Sequence, residues 1–277
     1  MMFQVQWYPG HMTRARRKIE KILGTIDIII ELRDARIPWS SGNPDIRGLL
    51  KGREHLVILT KADLADPVRT EAWISLFQEQ GMKSMAIRGT SSQDGPKVIR
   101  KLEECAAGIF AKRRKKGLLD RPIRCMVLGI SNVGKSTLIN TLAKRKAAVT
   151  GNRPGVTKGN QWVAVSKGIE LLDTPGLLWP KFTGNVGPHL ALTGAVSHEV
   201  FDWEEGAHDL ISLLCQKGYL KPEEAPESVL EAYGRTRGLL LKGGLLDREK
   251  AALLYLRDFQ SGKLGRISLE WTEDYGH

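Results

Sequence analysis

One contiguous motif constrains the fold of this 277-residue chain more than any other feature. Gly129-Ile-Ser-Asn-Val-Gly-Lys-Ser136 follows the apolar run Ile123–Leu128 and precedes a helix-like segment that begins at Thr137. In this order the glycines let backbone N–H groups point inward, and the helix start adds its dipole. Lys135 then reaches the β- and γ-phosphates, and the Ser136 hydroxyl binds Mg²⁺. The motif predicts a loop that binds a nucleoside triphosphate through Asn132, Val133, Gly134, Lys135, Ser136 and Thr137.

Strand-like apolar runs alternate with helix-like segments, which is typical of an α/β fold with a mainly parallel sheet and crossover helices. The predicted strands are Asp27–Leu32, His55–Thr60, Ser84–Ile87, Ile123–Gly129 and Ile169–Asp173. The predicted helices between them are Pro67–Gln80, Pro96–Ala111 and one from Thr137 to Ala143. Beyond residue 200 only helix-like segments remain, at Glu204–Lys217, Pro226–Arg235 and Asp247–Ser261. We therefore predict an α/β domain over residues 1–200 and a small all-helical domain over residues 201–277.

Two further segments resemble the switch motifs of GTPases. Asp173-Thr-Pro-Gly176 follows the strand-like run Ile169–Leu172. It resembles the D-x-x-G motif, whose carboxylate supports Mg²⁺ through water and whose glycine amide senses the γ-phosphate. Thr157 matches the switch threonine that reaches the same metal. We therefore expect Ser136, Thr157 and Asp173 to hold Mg²⁺, with Gly176 at the γ-phosphate.

The nucleotide base is indicated by Thr60-Lys61-Ala62-Asp63, which resembles the guanine-reading N-K-x-D motif. The Asp63 carboxylate would accept hydrogen bonds from the N1–H and from the 2-amino group that adenine lacks. A simple turn aspartate is the alternative, but the motif stands at the carboxyl end of a strand, where α/β sheets bind ligands. Thr60 replaces the usual Asn, which leaves the Asp63 chemistry intact and calls some loop-bracing contacts into question. The later turn at Arg88 and Gly89 fits the site where backbone amides meet guanine O6.

The order of these motifs differs from that of Ras-like proteins, in which the phosphate loop comes first. Here the guanine motif Thr60–Asp63 precedes the phosphate loop, so we predict a circularly permuted Ras-like domain. Parallel strands keep their sheet positions under such a permutation, and Lys112–Pro122 is a plausible surface join. The permutation also places the switch at Asp173–Gly176 before the helical domain, so a nucleotide-driven movement of the switch would be able to reorient that domain.

The net charge of +11 is unevenly distributed along the chain. Residues 1–200 hold 32 Lys and Arg against 17 Asp and Glu, which gives +15, while residues 201–277 hold 10 against 14, which gives −4. The densest basic runs are Arg14–Lys18, Lys112–Lys116 and Lys144–Lys146. A single run of this kind is explained equally well by a solvated face of a helix. Three together favour a polyanion partner, RNA or DNA.

Cysteine content and hydropathy indicate where such a chain works. Three cysteines, Cys105, Cys125 and Cys215, are odd in number and too far apart for metal-ligand pairs, so we expect small core residues in a reducing cytoplasm. The N-terminal segment has no apolar h-region, and no apolar run in the sequence approaches the roughly 20 residues that a membrane span needs. We therefore expect neither export nor a membrane span.

Several segments together resemble one family. They are Trp7-Tyr-Pro-Gly-His-Met12, Asp34-Ala-Arg-Ile-Pro38 and Gly262-Lys-Leu-Gly-Arg266, combined with the permuted motif order. Over nearly its whole length the chain resembles the ribosome biogenesis GTPase A family, the YlqF-type branch of the circularly permuted GTPases. The resemblance implies a Ras-like GTPase core, a C-terminal helical RNA-binding domain and a role in late assembly of the large ribosomal subunit, with no membrane or DNA partner. Ser131 departs from the family's usual Pro, and we expect nucleotide binding to survive this change.

The expected catalytic machinery is unusual. Ras-like proteins orient the attacking water with a Gln directly after D-x-x-G, but this position is Leu177 here. The resemblance implies two replacements: His11 approaching the γ-phosphate, with Thr157 at the metal, and Asn132 helping to hold K⁺ beside the phosphates. His11 is equally compatible with a capping or packing role. We expect slow intrinsic turnover.

Two other functions fit part of the sequence. A GTP-dependent RNA-modifying enzyme would need a further catalytic domain or a reactive cysteine, and residues 201–277 offer only the unaccompanied Cys215. A nucleotide-gated protein switch would make the basic runs incidental. Strong salt dependence of RNA or ribosome binding would separate the RNA-binding functions from that switch.

Overall fold

The computed structural model describes residues 2, 20, 22–44, 46–89, 91, 93–118, 121–143, 162–172, 184–196 and 201–276. In these residues six strands form one sheet in the order β3-β2-β1-β4-β6-β5. All neighbouring strands are parallel except β5, which pairs antiparallel with β6. The strands are β1 (Ile28–Asp34), β2 (Glu54–Thr60), β3 (Lys83–Ala86), β4 (Ile123–Gly129), β5 (Trp162–Ser166) and β6 (Ile169–Leu172).

Helices connect the strands of the sheet and then form the later part of the chain. Those between and after the strands are α1 (Ile46–Leu50), α2 (Pro67–Glu79), α3 (Asp94–Lys115), α4 (Lys135–Leu142) and α5 (Val186–Leu192). Three more follow, α6 (Trp203–Gln216), α7 (Pro226–Thr236) and α8 (Arg248–Gln260). No described helix is both long and apolar enough to cross a membrane.

The predicted strands and helices lie where expected, with bounds that differ by a few residues. The strand predicted to end at Leu32 runs on to Asp34, and the last predicted strand is described only as far as Leu172 because Asp173 lies outside the described residues. The predictions omitted β5, α1 and α5. β5 is an edge strand with no fully buried residue, although its four residues Trp162–Val165 are apolar and were an available signal.

The core forms around central strands that are buried on both faces. Every residue of β1 is buried, as parallel strands covered by helices require. α3 buries Val98, Leu102 and Cys105 along one face, which confirms the predicted stripe, although Ile109 is only partly buried. Cys125 is buried in β4, and Cys215 is half-buried in α6.

The last described segment returns to the sheet. After α8 the Ile267 amide donates to the Leu64 carbonyl at 2.9 Å, and the Leu269 amide donates to the Arg36 carbonyl at 2.9 Å. Both apolar side chains are buried. The three late helices share one hydrophobic cluster with the sheet, so contacts cross the predicted boundary at residue 200. Division into two domains stays a prediction.

Glu270 is the centre of this contact, and its side chain is completely buried. Its oxygens accept hydrogen bonds from the backbone amides of Trp39 (2.7 Å) and Ser40 (3.1 Å) and from the Ser40 hydroxyl. His189 Nδ1 lies 2.7 Å from Oε1, and the Trp73 indole donates to the Glu270 carbonyl at 3.1 Å. These five residues, here called the Glu270 junction, join the loop after β1, α2, α5 and the segment after α8.

Candidate nucleotide site

The phosphate loop leaves β4 at Gly129 and enters α4 at Lys135. A Cβ at Gly129 would lie 2.9 Å from the Leu32 carbonyl oxygen of the neighbouring strand, so the close approach requires glycine. Gly134 has φ +100° at the start of α4, a conformation that side chains disfavour. Asn132 adopts φ +55°, a left-handed value that asparagine tolerates better than most residues. The sequence therefore builds the sharp strand–loop–helix turn that was predicted.

The polar groups of the loop differ in how far they are already engaged. Lys135 is almost buried, and its Nζ donates to the carbonyls of Gly129 (3.1 Å) and Ile130 (2.6 Å). Ser136 and Thr137 are exposed in the first turn of α4. The first turn of a helix leaves backbone N–H groups unpaired, and its dipole attracts anions. This end of α4 is therefore chemically suited to phosphate.

Thr60 links the guanine-type motif to the phosphate loop. It is buried at the carboxyl end of β2, and its hydroxyl donates to the Val133 carbonyl at 2.7 Å. The same oxygen lies 3.1 Å from the Arg33 carbonyl. The brace that the replacement of Asn by Thr called into question is therefore present. It is made by a hydroxyl.

Lys61 forms an ion pair with a buried carboxylate, Asp34, which Arg36 also contacts. Its Nζ lies 2.9 Å from Asp34 Oδ2, and the Arg36 guanidinium donates two hydrogen bonds to the same carboxylate, at 3.0 and 2.7 Å. Burial alone would raise the pKa of Asp34, but the charges of Arg36 and Lys61 hold that pKa well below its usual range. Asp34 therefore stays ionised and fixes Lys61, which adopts φ +56°.

Asp63 and the Arg88–Gly89 turn differ in their availability to a base. Asp63 is exposed, and within the described part of the chain its carboxylate has no hydrogen bond. The Arg88 and Gly89 amides both donate to Asp94 Oδ2 at 2.9 Å. Their assignment to guanine O6 stays a prediction, and it requires these bonds to be shared or broken.

Asn132 contacts the turn that follows α5. Its amide nitrogen donates to the Gly194 carbonyl at 2.9 Å, while Oδ1, the atom that a K⁺ ligand uses, has no hydrogen bond to a described residue. Two neighbouring carbonyls of this turn bond elsewhere: Thr193 O accepts from Arg36 at 3.2 Å, and Leu192 O accepts from the Gln260 side chain at 3.0 Å. The phosphate loop is thereby connected to the end of α8.

Four predicted site residues lie outside the described residues: His11, Thr157, Asp173 and Gly176. Three important groups were missed as site residues. Asp34 and Arg36 were used only as evidence for the family resemblance. No local sequence pattern indicates that the Asp94 carboxylate accepts from the amides of residues 88–89. The position of Asp34 at the end of a strand beside β2 was the available signal.

The phosphate loop at the end of β4, braced by a guanine-type motif at the end of β2, defines a P-loop GTPase with a permuted motif order. A family model described as "50S ribosome-binding GTPase" matches residues 124–237. Ribosome biogenesis GTPase A of Bacillus cereus is 42% identical over 98% of this chain and 95% of its own length. The Thermotoga maritima protein of the same name is 32% identical over 98% of this chain. The chain belongs to the ribosome biogenesis GTPase A family.

Solved structures agree with this assignment. GDP-bound TM YlqF matches with a TM-score of 0.73 and 27% identity, covering 93% of this chain and all of that chain. GNP-bound YlqF from T. maritima matches with a TM-score of 0.70 and 27% identity, covering 93% of this chain and 98% of that chain. The α/β GTPase fold with late helices is therefore confirmed.

Proposed function

We propose that this chain binds GTP at the carboxyl edge of its sheet, hydrolyses it to GDP and phosphate, and does so on the large ribosomal subunit or its precursor late in assembly. The observation that carries the proposal is the 2.7 Å bond from Thr60 to the Val133 carbonyl. This bond supports the proposal because it joins Thr60 of the guanine-type motif to Val133 of the phosphate loop, in a chain that matches a family model described as "50S ribosome-binding GTPase".

The described residues support a division of labour around the nucleotide. Asp63 is free to accept from the N1–H and 2-amino groups of guanine, while Lys61 is held by Asp34. Phosphates would lie on the backbone amides at the start of α4, and Lys135 would exchange its carbonyl partners for β- and γ-oxygens. Gly176 would meet the γ-phosphate through its amide.

The donor set fits magnesium. Among the described residues no group of three or more His, Cys, Asp or Glu would hold a metal alone, and Mg²⁺ commonly uses few protein ligands together with substrate phosphates. Ser136 offers an exposed hydroxyl, and β6, parallel to β4, ends with Leu172, the residue before Asp173 in the sequence. Thr157 completes the proposed set. When bound, Mg²⁺ would neutralise charge on the β- and γ-phosphate oxygens.

Asn132 is the proposed K⁺ ligand. Its Oδ1 is without a hydrogen bond in the described structure, and its nitrogen is anchored to Gly194. A second cation beside the phosphates would stabilise the charge that develops during hydrolysis. Replacing K⁺ with Na⁺ should slow hydrolysis, and equal rates in the two salts would remove Asn132 from this role.

Catalysis is proposed to depend on the partner. Leu177 stands where Ras-like proteins have the water-positioning Gln, so the free protein should turn over slowly. Ordering of the segment around Thr157 by the ribosomal subunit would bring His11 towards the γ-phosphate. The late helices, residues 201–277, are proposed as an RNA-binding unit, and the setting as the cytoplasm.

GTP turnover with purified large ribosomal subunits tests the whole proposal. We expect subunits to accelerate hydrolysis by the unaltered chain at low salt, and to co-sediment with it more strongly in GTP than in GDP. His11→Ala should keep GTP affinity and subunit binding but lose most of the acceleration. Unchanged turnover with subunits at low salt would contradict activation of hydrolysis by the subunit. Full stimulation of His11→Ala would exclude a catalytic role for His11.

A further inference from the structure

The amino-terminal edge of the sheet carries a cluster of exposed cations that the nucleotide site does not use. We propose that this cluster, Lys112, Arg114, Lys115, Lys116 and Lys167, is a docking surface for an RNA phosphate backbone. It is called here the amino-edge basic surface. The proposal rests on the proposed function, because it deepens the ribosomal partner to a specific face of the molecule.

The position of the surface follows from the direction of α3. The helix begins at Asp94, whose carboxylate caps the Arg88–Gly89 turn beside the nucleotide edge. It ends beside Asp27, which precedes β1 and bonds to Arg113 at 2.6 Å. At about 1.5 Å per residue, a helix of 22 residues is roughly 33 Å long. Its basic end therefore lies at the opposite edge of the sheet from the phosphates.

Lys112, Lys115 and Lys116 are not needed to neutralise the nearby half-buried acid, Asp27. Asp27 is already paired with Arg113 and with Arg121, at 2.6 and 2.9 Å. Lys112, Lys115 and Lys116 are exposed, and no described residue forms an ion pair with them. Glu103 and Glu104 lie more than two helical turns away towards the other end of α3. The absence of an ion pair for these lysines among the described residues therefore indicates that their partner is an anion outside this chain.

A second element brings charge to the same place. Ser166, at the end of β5, donates to Glu103 of α3 at 3.1 Å, and Gly168 lies against Phe110. The turn between β5 and β6 therefore packs beside α3 and presents Lys167, which is exposed. Lys167, on a second element, thus lies at the same amino-terminal edge of the sheet as the end of α3.

Helix stability does not account for the density of charge. Basic residues in the last helical turn interact favourably with the dipole, but each is worth only about 0.3–1 kcal/mol at an exposed position. Lys112 and Lys116, four residues apart, also repel each other. Clustered Lys and Arg at such spacing match the repeated charge of a nucleic-acid backbone, to which they bind with release of counterions.

The experiment compares two neutralised forms of α3. In one, Lys112, Lys115 and Lys116 are each changed to Gln; in the matched control, Lys97, Arg100 and Lys101, nearer the nucleotide edge, are each changed to Gln. Binding to purified large subunits is measured in GTP across a salt series. We expect the first variant to bind about tenfold or more weakly near 0.1 M salt. Its slope of log affinity against log salt should fall by about 2–3, since each lost phosphate contact contributes about 0.7–0.9.

The control variant should keep the affinity and slope of the unaltered chain. Intrinsic GTP turnover and the midpoint of thermal unfolding should not change in the first variant, because its substitutions lie far from the phosphates on an exposed helix end. Equal loss in both variants would show an effect of net charge alone, and an unchanged slope in the first variant would also overturn the proposal.

Protein-free large-subunit RNA serves as the second probe. If the first variant loses affinity for whole subunits but binds this RNA as the unaltered chain does, the surface faces an acidic protein and the RNA assignment is wrong. If the unaltered chain binds neither probe at low salt, the proposed function itself fails, which distinguishes that result from failure of the surface.

Discussion

The phosphate loop and the Glu270 junction belong to the same fold but differ in how many of their polar groups remain available to a ligand. In the loop, Ser136 and Thr137 are exposed, and two residues adopt positive φ. In the junction, both carboxyl oxygens of Glu270 are buried and occupied by donors within the chain. A site that is to bind a ligand keeps donors and acceptors available, whereas a structural contact consumes them. The difference predicts that changes in the junction affect stability and changes in the loop affect activity.

Removal of the junction carboxyl group should have the largest effect. Glu270→Ala leaves the part-buried amide of Trp39 and the buried amide of Ser40 without an acceptor, and we expect it to lower the free energy of unfolding by about 3–5 kcal/mol. Denaturant titration measures this. The control is Glu273→Ala, three residues later, whose exposed pair with Arg69 should contribute less than about 1 kcal/mol. Equal losses in the two variants would show that the junction is not a special contact.

Loss of the phosphate-loop lysine should produce the reverse pattern. Lys135→Ala removes a charge directed at the phosphates, and we expect GTP turnover to fall by roughly 10²–10³-fold. Because the carbonyls of Gly129 and Ile130 lose a donor, the midpoint of thermal unfolding should fall more than in Lys97→Ala, an exposed control on α3, but much less than in Glu270→Ala. A large drop in that midpoint with normal residual activity would reverse the assignment of the two regions.

Base selectivity gives an intermediate effect. Asp63→Asn replaces the acceptor for the 2-amino group of guanine, and a charged hydrogen bond of this kind is worth about 1.5–3 kcal/mol. GTP affinity should fall by roughly one to two decades, with preference shifting towards xanthosine triphosphate. Nucleotide titration of the unaltered and variant chains decides this. Unchanged selectivity for GTP over ATP would exclude Asp63 from base recognition.

Loss of the Thr60 hydroxyl should have the smallest effect, because it removes one neutral hydrogen bond between a buried residue and the phosphate loop. Thr60→Val keeps the shape of the side chain but leaves the Val133 carbonyl unpaired, at a cost of about 1 kcal/mol, or about fivefold in GTP affinity. Thr60→Ser, which keeps the hydroxyl, should bind GTP nearly as the unaltered chain does. Equal affinities in Val and Ser variants would mean that the brace does not position the loop.

The same two regions explain what the sequence predicted. The phosphate loop lies within eight consecutive residues whose glycines and lysine have local geometric reasons, so its form follows from the motif. Val98, Leu102 and Cys105 were recognised because a helix repeats every 3.6 residues. Glu270 and Trp39 are separated by 231 residues, and no local pattern pairs a late glutamate with an early loop. Asp94 was missed for the same reason, since its role is visible only when α3 meets the Arg88–Gly89 turn.

The return of residues 267–270 to the sheet has a consequence for the order in which the chain folds. Leu64, Arg36 and Trp73 are synthesised early, yet their partners in this segment follow about 200 residues later. Contacts of such high sequence separation carry a large loop-closure entropy and form slowly. During synthesis, the Trp39 and Ser40 amides in the loop after β1 lack their acceptor until Glu270 has been added to the chain. We therefore expect the contacts of this loop with Glu270 to form only after the late helices have been synthesised, so an early part of the chain gains its last hydrogen bonds from the end of it.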